Sequence, residues 1–138
     1  MADSITRSIE IAAPLERVWV LVSEPGWWIN DGEIVAHEIT PEAGGDDRVS
    51  VRDEVHGVFH VRTVVLEPRR RVVFEWQPGG DGEPATSVEF TLTTAGDSVR
   101  LTVVETGFER MSAAQFARDY DDNVEGWAVE LAAAKKAF

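Results

Sequence analysis

The sequence predicts an α+β fold, a curved antiparallel sheet of six or seven strands wrapped around one long C-terminal helix, and three observations predict it. Phe116, Tyr120, Val124, Trp127, Leu131, Ala134 and Phe138 recur at steps of four, four, three, four, three and four. That spacing draws one apolar stripe down a helix over residues 112–138. Between about residues 33 and 106 the apolar residues instead form short runs broken by glycine, proline and aspartate, as strands do. A long helix that follows a run of strands buries its stripe on the concave face of their sheet. The space between the two is commonly a cavity.

Taken in order, residues 5–11 alternate, with Ile5, Ile9 and Ile11 on one side, Arg7 the exception, and Thr6, Ser8 and Glu10 on the other; this is a strand. Pro14 suits the start of a helix, where its missing N–H has no partner to lose. Leu15, Val18, Trp19 and Val22 then mark a short amphipathic helix, which Ser23-Glu24-Pro25-Gly26 ends, because proline blocks continuation and glycine frees the backbone. Trp27-Trp28-Ile29-Asn30 reads as a second short helix or a turn. Strands are expected over 33–40 and 48–54, parted by a loop at 42–47, and over 59–67 and 72–77, parted by Pro68-Arg69-Arg70-Arg71. The last pair, 86–94 and 98–106, flanks the hairpin connection Ala95-Gly96-Asp97. It places Val88, Phe90 and Leu92 on one face, and Leu101, Val103 and Glu105 on one face of the next strand. Gly79-Gly80-Asp81-Gly82 is a loop within one sheet, so residues 1–138 form one domain.

With 138 residues, 43% of them hydrophobic, the chain can bury its own core. Absence of cysteine removes disulfides, a thiolate nucleophile and cysteine-based metal sites. MADSITRSIEI has no basic segment followed by a long apolar run, and no stretch reaches the roughly 20 apolar residues of a bilayer span. A cytoplasmic protein with no membrane association is expected. The net charge of -12, from 13 basic and 25 acidic residues, repels phosphate backbones, so a small molecule is a better partner than nucleic acid.

The order of elements and three passages resemble a known superfamily. The passages are Ile9-Glu10-Ile11-Ala12-Ala13-Pro14-Leu15-Glu16-Arg17-Val18-Trp19, Leu66-Glu67-Pro68-Arg69-Arg70-Arg71-Val72-Val73-Phe74-Glu75-Trp76, and Glu125-Gly126-Trp127 with Leu131. The chain is similar to the SRPBCC (START-like, pollen-allergen-like) superfamily, nearest to the small bacterial relatives of the heat-shock-protein-90 ATPase activator. The resemblance implies the helix-grip fold. It does not select a function, since that fold hosts ligand carriers, cyclases, hydrolases and chaperone partners.

His56 and His60 are four apart, but Gly57-Val58-Phe59 between them reads as strand or turn, where the two need not converge. No metal and no cofactor are expected. His37 shares a strand face with Val35 and Ile39, Asp53 continues Val49 and Val51, and Glu105 continues Leu101 and Val103. These three are the inward-facing titratable groups. Trp27, Trp28 and Trp76 fall near a cavity mouth, whereas Trp19 and Trp127 lie on apolar helix faces as core. There is no nucleophile elbow and no glycine-rich phosphate loop.

The leading expectation is a binding protein for a small apolar or aromatic molecule between sheet and helix. Its walls are expected to be Trp28, Val35, Trp76, Phe90, Val103, Phe116, Tyr120 and Val124. His37, Glu105 and Asn123 supply the polar contacts. One alternative is a polyketide-cyclase or dehydratase-like enzyme using His37 with Asp53 or Glu105; another is a chaperone- or protein-interaction module. A monomer or a homodimer is expected.

Overall fold

The computed structural model of the chain describes residues 4–43, 47–77 and 84–138. The centre of the loop expected at 42–47, and the glycine-rich loop expected at 79–82, lie outside them. Strand β1 (Ile5–Ile11) leads through Pro14 into helix α1 (Leu15–Val22). Strands β2 (Glu38–Pro41), β3 (Arg48–Asp53), β4 (Gly57–Glu67), β5 (Arg71–Trp76), β6 (Thr86–Ala95) and β7 (Ser98–Thr106) follow, and helix α2 (Ala113–Lys136) ends the chain. The sheet order is β1-β7-β6-β5-β4-β3-β2, and every neighbouring pair is antiparallel. After α1 the chain therefore crosses to the far edge and meanders back until β7 meets β1.

Alternation decides which face is buried. Val88, Phe90 and Leu92 on β6, and Val99, Leu101, Val103 and Glu105 on β7, all turn inward and are buried. Along α2 the expected stripe is present: Trp127, Leu131 and Ala134 are buried, while Phe116, Tyr120, Val124 and Phe138 pack half-buried against the core. Ser112 caps the helix, its side chain accepting the Gln115 N–H at 3.1 Å. Lys135 and Lys136 stand in the last turn, where positive charge complements the helix dipole.

Three expectations need correction. There is one short helix after β1, not two: residues 26–28 form turns. Gly26 sits at φ +79, and a Cβ on it would come within 2.7 Å of Val51 Cγ1. That tight turn against β3 drives Trp27 and Trp28 into the core, leaving them 1% and 4% exposed. Trp27 is therefore core rather than cavity mouth, packed on Phe90 with ring centroids 5.1 Å apart.

The strand expected over 33–40 is confined to β2. Glu38 pairs with Arg52, and one step further β3 itself stops at Asp53 and turns back into β4. Residues 33–37 thus have no ladder to join. Val35, expected to face inward, is 47% exposed. The third correction is an unexpected short 3-10 helix, Phe108–Arg110, after Gly107 at φ 104. Its buried Phe108 wedges under the first half of α2, with centroids 6.4 Å from Phe116 and 5.1 Å from Tyr120.

Candidate functional site

Because Phe108 fills the space under the start of α2, and Trp27 fills the centre of the sheet, open volume is left toward the middle of the helix. There a cavity of about 400 Å³ lies between α2, the loop after Trp28, the β3–β4 turn and the end of β5. Its apolar lining is mostly aromatic: Trp28, Phe59, Trp76 and Trp127, with Ile29 beside them. These rings brace one another, Trp28 standing 5.4 Å from Trp76 edge-on and 6.1 Å from Trp127, and Phe59 standing 5.7 Å from Trp76. Gly126 lines the same space from α2, and a Cβ placed on it would meet nothing within 4 Å.

Under this lining lies Glu105, fully buried on β7. Its Oε1 accepts from Trp127 Nε1 at 2.8 Å and Asn123 Nδ2 at 3.1 Å. Its Oε2 accepts from Thr86 Oγ1 at 2.5 Å and Trp76 Nε1 at 3.1 Å. Burial pushes the carboxyl above its ordinary range, and these four donors pull against that shift. With both oxygens accepting twice, Glu105 has nothing left to offer a ligand. What it does is fix three groups that line the cavity, Trp76, Asn123 and Trp127.

Charge collects at the rim. Asp31, Asp122 and Glu130 line the cavity together with His56. His56 Nε2 and Asp31 Oδ1 are 2.8 Å apart. Glu130, 6% exposed, accepts the Gly32 N–H through Oε2 at 3.1 Å, while its Oε1 is buried with no hydrogen-bond partner. Burial pushes the Glu130 carboxyl up, against the pull of the Gly32 N–H and the nearby Asn30 amide. Asn30 Nδ2 itself is committed to the Trp27 carbonyl at 2.6 Å, which leaves Asn30 Oδ1 buried and unpartnered. Trp28 Nε1 is likewise buried and unpartnered. Three buried, unpartnered polar atoms thus belong to residues that line one hollow.

Of the site residues expected from sequence, the cavity gathers Trp28, Trp76 and Asn123, with Glu105 beneath them. Phe90 and Val103 are fully buried core, out of reach of any ligand. Phe116 and Tyr120 stack on each other at 4.8 Å over Phe108, and the Tyr120 hydroxyl donates to the Ser4 carbonyl at 3.1 Å. Neither they nor Val124 line the cavity. Val35 lines a different hollow, about 500 Å³, whose walls include Glu33, Glu38, Arg52 and Glu54.

His37 is joined to Asp53, not to Glu105. Its Nε2 lies 3.3 Å from Asp53 Oδ1 and 2.6 Å from the Ile29 carbonyl, and its side chain is 2% exposed. Asp53 Oδ2 accepts the N–H groups of Val55 and His56 at 3.1 and 2.8 Å. Burial pushes the Asp53 carboxyl up, but those two N–H groups and the neighbouring His56 and His37 outweigh it and leave it below its ordinary range. The pair ties the Trp28–Ile29 loop to the end of β3. Sequence reasoning missed Phe59, Gly126, Asp122 and Glu130. Glu130 was the legible one: it directly precedes Leu131 on the buried face, a carboxylate at the edge of an apolar stripe.

His56 and His60 turn to different carboxylates, Asp31 and Glu42. Among the described residues no group of three or more His, Asp or Glu side chains is arranged to hold a metal ion, and no helix is long and apolar enough to cross a membrane.

The family model for Activator of Hsp90 ATPase homolog 1-like protein matches residues 12–137. None of the curated proteins matches the chain. Among solved structures it is similar to DynU16, a protein of the dynemicin biosynthetic locus, with TM-score 0.70 and 22% identity over 97% of this chain and 46% of that one. The chain thus spans about half the length of DynU16. It is also similar to the Aha1 dimer from Colwellia psychrerythraea, with TM-score 0.70 and 18% identity over 98% and 95% of the two chains. A START superfamily protein from Mycobacterium smegmatis superposes with TM-score 0.64 and 18% identity over 97% of each chain. At these identities the likeness is one of fold.

Proposed function

Since this chain belongs to the Activator of Hsp90 ATPase homolog 1-like family, within the START-like helix-grip fold, we propose that it binds a small apolar or aromatic molecule in the cavity between its sheet and α2. One observation carries the reading: an open space of about 400 Å³ walled by Trp28, Phe59, Trp76 and Trp127 beside a glycine on the facing helix. Small-molecule sites are concave, largely apolar and furnished with a few fixed polar groups. Asn123, held by Glu105 at 3.1 Å, is such a group. A pocket already braced by ring contacts loses little freedom when it is filled, and that favours binding. Binding rather than turnover is the role, because Glu105 is saturated by donors and His37 and Asp53 are spent on each other and on backbone groups. We place the activity in the cytoplasm, in a monomer or homodimer.

The test is titration with an apolar fluorescent dye. Three of the five tryptophans line the cavity, so binding should quench indole emission and raise dye emission. Gly126→Phe, which projects a ring into the space, should abolish both signals while leaving the melting transition in place. A dye that binds equally well to wild type and Gly126→Phe would sink the proposal.

A further inference from the structure

We propose that the molecule this cavity takes is a cation: a flat apolar or aromatic body bearing a protonated amine, with the body against Trp76, Trp127 and Phe59 and the ammonium at the Asp31, Asp122 and Glu130 carboxylates. The inference rests on the binding reading above and adds the chemical class of the ligand.

Charge is the first argument. Three carboxylates line the cavity and no lysine or arginine is among the described residues that do so. The adjoining groove, which shares Asp31, Asp122 and Glu130, adds Glu125 and again no basic side chain. An anion entering there faces three carboxylates, in a chain whose net charge is already -12. His56, the one basic side chain of the lining, is occupied with Asp31 at 2.8 Å.

The orphaned atoms are the second argument, independent of the first. Glu130 Oε1 and Asn30 Oδ1 are buried acceptors without donors, and an ammonium brings up to three N–H donors on one atom. A neutral hydrocarbon would leave both oxygens as they are. Burial has already raised the Glu130 carboxyl, so an arriving cation stabilises its ionised form. Aromatic walls complete the match, because the faces of indole and phenyl rings attract cations where anions are disfavoured. The volume of about 400 Å³ is sufficient for a two-ring body with a short aminoalkyl arm.

The experiment uses three probes of one shape: 2-naphthylmethylamine, 2-naphthylmethanol and 2-naphthoate, titrated against the full chain by tryptophan quenching and calorimetry. The amine should bind at least tenfold more tightly than the alcohol, and the carboxylate more weakly than either. Raising salt should narrow the gap between amine and alcohol. Glu130→Gln keeps an oxygen for Gly32 and should cut the preference for the amine severalfold; Asp122→Asn should cut it in the same direction. Equal affinity for amine and alcohol, or a preference that survives both substitutions, overturns the cation assignment while leaving the cavity a binding site. Failure of all three probes to bind overturns both.

Discussion

Trp127 Nε1 donates to Glu105 Oε1 across 2.8 Å, so the face of α2 that lines the cavity is anchored to a fully buried carboxylate on β7. Trp76 reaches the other oxygen from β5. A single acidic side chain thereby ties α2 to three strands beside the cavity. A buried carboxylate is costly, and four donors are what make this one tolerable.

Glu105→Gln should therefore destabilise the fold by about 2 kcal/mol, since the new amide presents donors to groups that are themselves donors. Urea denaturation measures it. Probe affinity should fall severalfold as well, because Trp76 and Trp127 lose their common acceptor. A variant as stable as wild type would show that the carboxylate is dispensable.

Gly126 separates stability from binding. In the interior of α2, Gly126→Ala should raise stability by about 0.5–1 kcal/mol through helix propensity, because its Cβ meets nothing within 4 Å. The same methyl group enters the cavity and should weaken the apolar dye. Thermal melts paired with dye titration test both halves.

The pH dependence of stability has a defined sign. Burial lifts Glu130 above its ordinary 4.5 in the folded chain, so the fold retains a proton that the unfolded chain releases. Stability from this group is complete below about pH 4.5 and is lost as pH rises through the raised value. Glu105 shifts the same way. Asp53, Asp47 and Glu42 are lowered, and their contributions are lost only as pH falls below the ordinary carboxylate range. Glu130→Gln should gain on wild type as pH rises from about 4.5 to 7 in urea melts. A constant difference would contradict the assignment.

Gly26→Ala should cost about 1–3 kcal/mol, from φ +79 and the 2.7 Å approach to Val51. Val51→Ala should relieve part of that cost, so the double variant should be more stable than the sum of the single effects. Additive losses would mean that the backbone angle alone matters.

The strands, the long helix and the inward face of β6 and β7 were legible because periodicity reports burial, and burial is what these elements have in common. Glu105 was read as inward from its phase with Leu101 and Val103, and it is. Its role was not legible, since its four donors come from β5, β6 and α2. Val35 differs from its expected inward place for a related reason: alternation continues in the sequence after the ladder ends at Glu38. The wedge made by Phe108 is a single aromatic residue after a glycine, too local to carry any period, yet it decides which half of α2 faces open space.

The pairing of β1 with β7 also orders events in time. Ser8 and Thr102 share a hydrogen bond at 2.9 Å across 94 positions of sequence, and contacts that span so much chain form late. The hairpin of β6 and β7, closed through Gly96, can form early; β1 must wait for it. The edge of β7 therefore stands bare in the interval, an edge that could pair with another chain. Pulse-labelled hydrogen exchange should find the β6–β7 amides protected before those of β1. Ligand capacity should appear only in the final kinetic phase, when α2 settles over the completed sheet.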